Sequence, residues 1–291
     1  MRVTDGMRYA DVARTLARLQ QQNAQAAQQA STGMRLAEPS DDPVAAAELA
    51  RVHASIQRAD SHRQAIQMVS GDAQLAESTL AQATDLLGRA RELAMQGSND
   101  TVAASDRAAM ATEVKNLRTQ LLGLANTRGS KGYIFAGSQT DQAAFDQNAV
   151  FQGDDVAHTV DIGGSTPTNV GASGARAFTV AGGRDIFADL QGLADALAAN
   201  DRSGAAAALD QLDAGQKQVT SERANVGLVV SKLESSDTIL QQLTTDFQTR
   251  ESVVGAADPF EAYSKMTVLA QTLQRAVEVS RQVLDLGSNW K

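Results

Sequence analysis

The run from Pro43 to Gln96 contains no proline after its first residue. It carries apolar residues at alternating three- and four-residue steps: Ile66, Val69, Ala73, Ala76, Leu80, Ala83, Leu87, Ala90 and Ala94. That spacing keeps one side of an α-helix apolar, and sustained this far it predicts a coiled-coil-like seam. Asp42 stands where an N-cap belongs, and Pro43 takes the first helical position, where a missing N–H costs nothing. At ~1.5 Å per residue the helix is about 80 Å long. Its other side carries Gln64, Gln67, Asp72, Gln74, Asp85 and Arg89. A lone helix of this kind has nothing against which to bury its stripe, so another part of the chain or a neighbouring chain must cover it.

The cover must be thin. About half of the seam is alanine, and only 4% of the 291 residues are Phe, Trp or Tyr, which predicts closely approaching helices rather than a wide core. The formal net charge is −8, and the cations are mostly arginines scattered along helical faces, so no nucleic-acid binding is expected. The chain has no cysteine, which excludes disulfides and thiolate metal sites. No apolar segment follows the polar first ten residues. Neither a cleaved secretory signal nor membrane insertion is expected.

In chain order, a first helix is predicted over about Met7 to Ala30, with Tyr9, Val12, Leu16, Leu19, Asn23, Ala26 and Ala30 on one face. A corner follows, containing Gly33, Pro39, Asp41, Asp42 and Pro43. Gly33 can end the helix in the left-handed conformation, and the two prolines forbid a helix through the segment. Asp41 and Asp42 fit a helix N-terminus better than a catalytic pair. After the long helix, Gly97 to Thr101 breaks the pattern. A return helix capped by Ser105 then presents Met110, Val114, Leu117, Leu121 and Leu124, antiparallel to the first with a bend near residue 100.

From Asn126 the composition changes. Glycine and threonine increase, Gly132–Gly137 and Ala177–Val180 look like strands, and Phe135, Phe145, Phe151 and Phe178 gather here, which predicts a compact strand-rich insert with its own small core. Helices resume at Asp185. A second long helix, about Ser203 to Val253, repeats Val219, Val226, Leu233, Leu240, Phe247 and Val254 every seven residues and is the expected cover for the first. Leu80, Leu87, Val226, Leu233 and Leu240 are the expected core. A last helix opens at Asp258-Pro259 and presents Tyr263, Met266, Leu269, Leu273 and Val277. The two terminal stripes lack a sufficient partner within their own segments, and pairing them would bury both.

No phosphate loop, zinc-protease motif, nucleophile elbow or calcium loop is present, and His53, His62 and His158 are too scattered for one metal shell. An enzyme, a metal and a cofactor are therefore not expected.

Several local runs together resemble the bacterial flagellin superfamily. They are Ser31-Thr32-Gly33-Met34-Arg35-Leu36, Pro39-Ser40-Asp41-Asp42-Pro43, Arg91-Glu92-Leu93-Ala94-Met95-Gln96, Asp106-Arg107, Leu124-Ala125-Asn126-Thr127, Gly132-Tyr133-Ile134-Phe135-Ala136-Gly137 and Arg223-Ala224-Asn225-Val226-Gly227. The proline-flanked corner and the single modest insert point to the superfamily's hook–filament junction branch, the alternatives being a filament flagellin or an intracellular coiled-coil scaffold. The resemblance implies a mainly α, elongated bundle of coiled-coil-like helices with a small strand-rich insert. Its expected division is 1–42, terminal assembly helix and corner; 43–131, long and return helices; 132–184, insert; 185–257, returning helices; and 258–291, C-terminal assembly helix. It also implies a structural, extracellular subunit exported without a cleaved signal. The implied partners are further copies in a ring, the preceding hook-associated protein, flagellin and an export chaperone. Tyr9, Val12, Leu16, Leu19, Tyr263, Met266, Leu269, Leu273 and Val277 would serve assembly.

Overall fold

The computed structural model describes residues 2–36, 38–156, 158–163 and 167–288. Its helices are α1 (Arg2–Thr32), α2 (Pro43–Gly97), α3 (Ala104–Ala125), α4 (Gly174–Phe178), α5 (Ile186–Ala198), α6 (Arg202–Gly255) and α7 (Pro259–Ser288). Among the described residues, four two-residue strands form two antiparallel pairs. In the first, β1 (Arg128–Gly129) meets β2 (Gly132–Tyr133); in the second, β3 (Thr159–Val160) meets β4 (Thr168–Asn169). The chain divides into two compact units, 59–241 and 1–58 with 242–291, and both α2 and α6 contribute to each. The divisions between these units fall inside the two long helices.

In the unit of residues 59–241 the alanine-rich seam of α2 is covered as its periodicity requires. Leu80 and Leu87 are buried in one cluster with Leu121 of α3, Leu190 and Leu193 of α5, and Val219 and Val226 of α6. A second cluster joins Ile66, Val69 and Ala73 of α2 to Leu233 and Leu240 of α6, with Ile162 from the insert. The α2–α3 hairpin is antiparallel, with Arg89 donating to Glu113 at 2.8 Å. Gly97 ends α2 where a Cβ would come within 2.2 Å of the Leu197 Cδ2 on α5, so any larger residue there would displace the Leu197 side chain.

Two local expectations are corrected. Ser105 does not cap α3. The helix starts at Ala104 after Ala103, which offers no side-chain cap, and Ser105 instead lies in the first turn with Asp106. The segment Ala177–Val180 is not a strand. Ser173 accepts the Arg176 N–H at 3.1 Å and so starts α4, while Thr179 accepts the Ala181 N–H at 3.3 Å and starts a 3-10 turn over Val180–Gly182. Side-chain caps decide the conformation of a segment too short for periodicity to do so.

Among the described residues, the buried aromatics of the insert do not form a separate core. Phe135, Phe145 and Phe178 belong to the same cluster as the helices. Phe178 meets Phe135 edge-to-face at 5.5 Å between ring centres, and Phe145 lies 5.2 Å from Phe187 of α5. The aromatics gather because they fasten the insert to the helices.

One buried cation has no carboxylate within salt-bridge distance among the described residues. Arg107, 3% exposed, donates to the carbonyls of Gly97 (2.7 Å), Asn99 (2.6 Å) and Val102 (3.0 Å) and to Asn200 Oδ1 (2.7 Å). It joins the end of α2, the α2–α3 turn and the α5–α6 turn, serving the Gly97 carbonyl at the end of α2 and sharing the Asn99 carbonyl with the Val102 N–H.

Candidate assembly surface

The unit of residues 1–58 and 242–291 holds the two terminal helices and the two corners. Gly33, at φ +69°, closes α1, its N–H donating to Gln29 O at 2.9 Å. The chain then pairs with the start of the last segment. Met34 bridges Ala256 antiparallel, Arg35 N–H donates to Gly255 O at 2.7 Å, and Ala257 N–H donates to Gly33 O at 2.9 Å. Asp42 caps α2 by accepting the Ala45 N–H at 3.1 Å, directly before Pro43. That bond, and after it the Arg35 guanidinium, holds the Asp42 carboxyl below its usual range. Pro39 and Asp41 sit in the turn between, where Asp41 accepts the Glu38 N–H at 3.1 Å. Across the unit, Asp258 caps α7 through the Phe260 N–H at 2.8 Å. The Asp42 and Asp258 carboxylates therefore cap helix N-termini, as their positions in the sequence implied, while the Asp41 carboxylate serves the turn.

Because one corner enters from α1 and the other leaves into α7, the two terminal helices run antiparallel and pack on each other. Val12, Leu16 and Leu19 of α1 and Met266, Leu269, Leu273 and Val277 of α7 are all half-buried. The side chain of Tyr9 lies outside the described residues. Fully buried contacts come instead from small residues, Ala26 at 1% and Ala262 at 6% exposure. Asn23 interrupts the α1 stripe, and its Oδ1 is buried without a hydrogen-bond partner among the described residues.

Tyr263 departs from the expected stripe. It is 56% exposed, and Phe260 beside it is 85% exposed. At ~100° per residue, Tyr263 is about 120° around the helix from Leu269, whereas Ala262 is seven residues before Leu269 and nearly in line with it. The α7 seam therefore runs Ala262, Met266, Leu269, Leu273, with the small Ala262 in register and the bulky Tyr263 out of it. Tyr263 and Phe260 form an outer apolar surface instead.

Between the helices runs an open groove of about 640 Å³, with Gln22, Ala26 and Gln29 on one wall and Phe260, Lys265 and Leu269 on the other. Two helices cannot close such a seam by themselves, and the half-buried leucines record what is left open.

Among the described residues no helix is long and apolar enough to cross a membrane. Nor does any group of three or more His, Asp or Glu there offer a metal shell. His53 meets Glu251 at 2.7 Å, His62 lies 3.3 Å from Asp161 O, and His158 lies 2.9 Å from Gly137 O.

A coiled-coil-like seam between long helices, with the two chain ends paired beyond proline-bearing corners, is matched among known families. Residues 5–140 match the model of the bacterial flagellin N-terminal helical region, and residues 209–285 that of the C-terminal helical region. The class is that of flagellin-type proteins. Flagellar hook-associated protein 3 of Escherichia coli is 31% identical over 263 residues, covering 82% of this chain and 83% of that protein. A flagellin of Halalkalibacterium halodurans is 25% identical over 268 residues, covering 90% of this chain and 89% of that protein. The crystal structure of the flagellar junction protein FlgL from Legionella pneumophila has the same fold, with a TM-score of 0.59 at 17% identity, over 73% of this chain and 100% of that one. The chain belongs to the flagellar hook-associated protein 3 family of the bacterial flagellin superfamily.

Proposed function

We propose that the chain is the structural subunit that joins the hook-associated zone of a bacterial flagellum to its filament. Family membership carries the reading, and the antiparallel α1–α7 pair supports it, because a half-closed apolar seam at the chain ends is a surface that gains by repetition around an axis. In this reading several copies form a ring. The ring seats on the preceding hook-associated protein and offers its other side to flagellin, adapting a flexible hook to a stiff filament. The chain leaves the cell through the flagellar export channel with a chaperone, and Val12, Leu16, Leu19, Met266, Leu269, Leu273 and Val277 order fully only between subunits. Tyr263 and Phe260 contribute the outer contacts. The α1 and α7 helices pack here within a single chain, so the surface offered to neighbours is the groove and the outer apolar face.

The test is location. Antibody against the chain should decorate sheared flagella at one point, where the curved hook meets the filament. Label distributed along the whole filament would instead make the chain a filament subunit, and label confined to the cytoplasm would refute any role in the appendage.

A further inference from the structure

We infer that Arg35 is the positioning residue of the terminal-helix pair, locking the two corners into one rigid joint so that α1 and α7 hold a fixed direction relative to α2 and α6. The guanidinium reaches two chain segments at once. Its Nε and Nη2 donate to Val254 O, at 3.3 and 3.0 Å, in the last turn of α6. Its Nη1 donates to Asp42 Oδ2 at 3.4 Å, and the other oxygen of that same carboxylate caps α2. The backbone of the same residue adds two bonds, donating to Gly255 O at 2.7 Å and accepting from Gln29 Nε2 at 2.8 Å on α1. One residue thus touches the end of α1, the cap of α2 and the end of α6.

The chemistry explains why arginine is needed. The last carbonyls of α6 carry the negative end of the helix and have no donors within it, and a cation there is favoured. A planar fork can serve a carbonyl with one edge and a carboxylate with the other, which an ammonium group does poorly. Without this fork the joint between the helix pairs consists of two short connections, residues 33–42 with Gly33 and Pro39 and residues 256–258, held to each other by the backbone bonds around the Met34–Ala256 bridge. Such connections are where hinges form when side chains do not fix them. The α1–α7 pair, held by its own seam, would then swing as a body.

The inference goes beyond the junction reading and is measured on the isolated chain, so either can fail without the other. The absence of cysteine from the native sequence allows clean placement of spin-label pairs. One pair, at Ala17 on α1 and Glu48 on α2, reads the direction of the helix pair. A second, at Ala17 and Gln271 on α7, reads whether the pair itself stays closed; all three positions are exposed. Double electron–electron resonance should give a narrow 17–48 distribution in the native chain and a distribution about twice as wide in Arg35→Ala, with the 17–271 distribution unchanged. Arg35→Lys should also widen the 17–48 distribution, because charge alone does not rebuild the fork. An unchanged 17–48 width in Arg35→Ala overturns the inference. Equal widening of both pairs also overturns it, since Arg35 would then stabilise the helix pair rather than aim it.

Discussion

Arg107 gives the most demanding test of how the 59–241 unit is held together. Replacing it with alanine removes four donated hydrogen bonds. Those to a charged donor contribute about 1.5–3 kcal/mol each, but they do not sum, because water returns to some acceptors. Asn99 and Asn200 are exposed and regain solvent, whereas Gly97 is buried and its carbonyl does not. One stranded carbonyl costs about 1–3 kcal/mol, and the lost packing of the arginine stem adds to it, so the expected destabilisation is about 3 kcal/mol. Arg107→Met keeps most of the stem and should lose nearly as much, while Arg107→Lys, with charge but no fork, should lose about half. Urea melts followed by circular dichroism give the change, provided the denaturant dependence is unaltered. Hydrogen exchange should also show α3 and the α5–α6 turn opening first. A methionine variant as stable as the native chain would refute the argument, because the stem, not the hydrogen bonds, would then be what counts.

The remaining expectations concern the seam, the acid response and the chain ends. Leu80→Ala and Leu233→Ala should each destabilise by about 2–5 kcal/mol, and nearer the lower figure where alanine neighbours let the site collapse; unchanged urea melts for both would contradict the clusters described above. Asp201 accepts the Ser203 hydroxyl at 2.6 Å and the Gly204 N–H at 3.0 Å, and these bonds, the hydroxyl first, hold its carboxyl below the ordinary 3.8. The folded chain therefore binds this proton less readily than the unfolded one. Its contribution is complete above the ordinary carboxylate value and is lost as pH falls below it, so Asp201→Asn should flatten the acid limb of a stability–pH curve. An acid limb identical to that of the native chain would disprove the role of the cap. Removing Ser264 to Lys291 should leave the melt of the 59–241 unit in place yet abolish filament growth in a strain supplied only with the truncated, exported protein. Normal motility there would count against the assembly role of α7.

Much of this architecture was legible because long helices repeat their message. The α2 stripe recurs every few residues from Ile66 to Ala94, and proline stands at the first position of α2 and again of α7, so existence, ends and inward faces could all be read. Short segments offered no such redundancy. Ala177 to Val180 alternates like a strand, yet two hydroxyl caps decide otherwise. Arg107 looked like an ordinary polar helical residue. Its place in the α3 register, before Ala111, Val114, Leu117 and Leu121, was the available signal that it points inward. On α7, register rather than size decides that Ala262 faces inward beside the exposed Tyr263, and the role of Arg35 has no local signature, since its partner Val254 lies 219 residues away. Local pattern reports which face is buried, not which distant carbonyl a side chain will meet.

The central claim, that this chain joins hook to filament, is tested most directly by electron microscopy of cells from which its gene has been removed. The account predicts hooks of normal length without filaments, flagellin released into the medium, and filaments restored when the full-length chain is supplied. Filaments growing from hooks in the complete absence of the chain would contradict it.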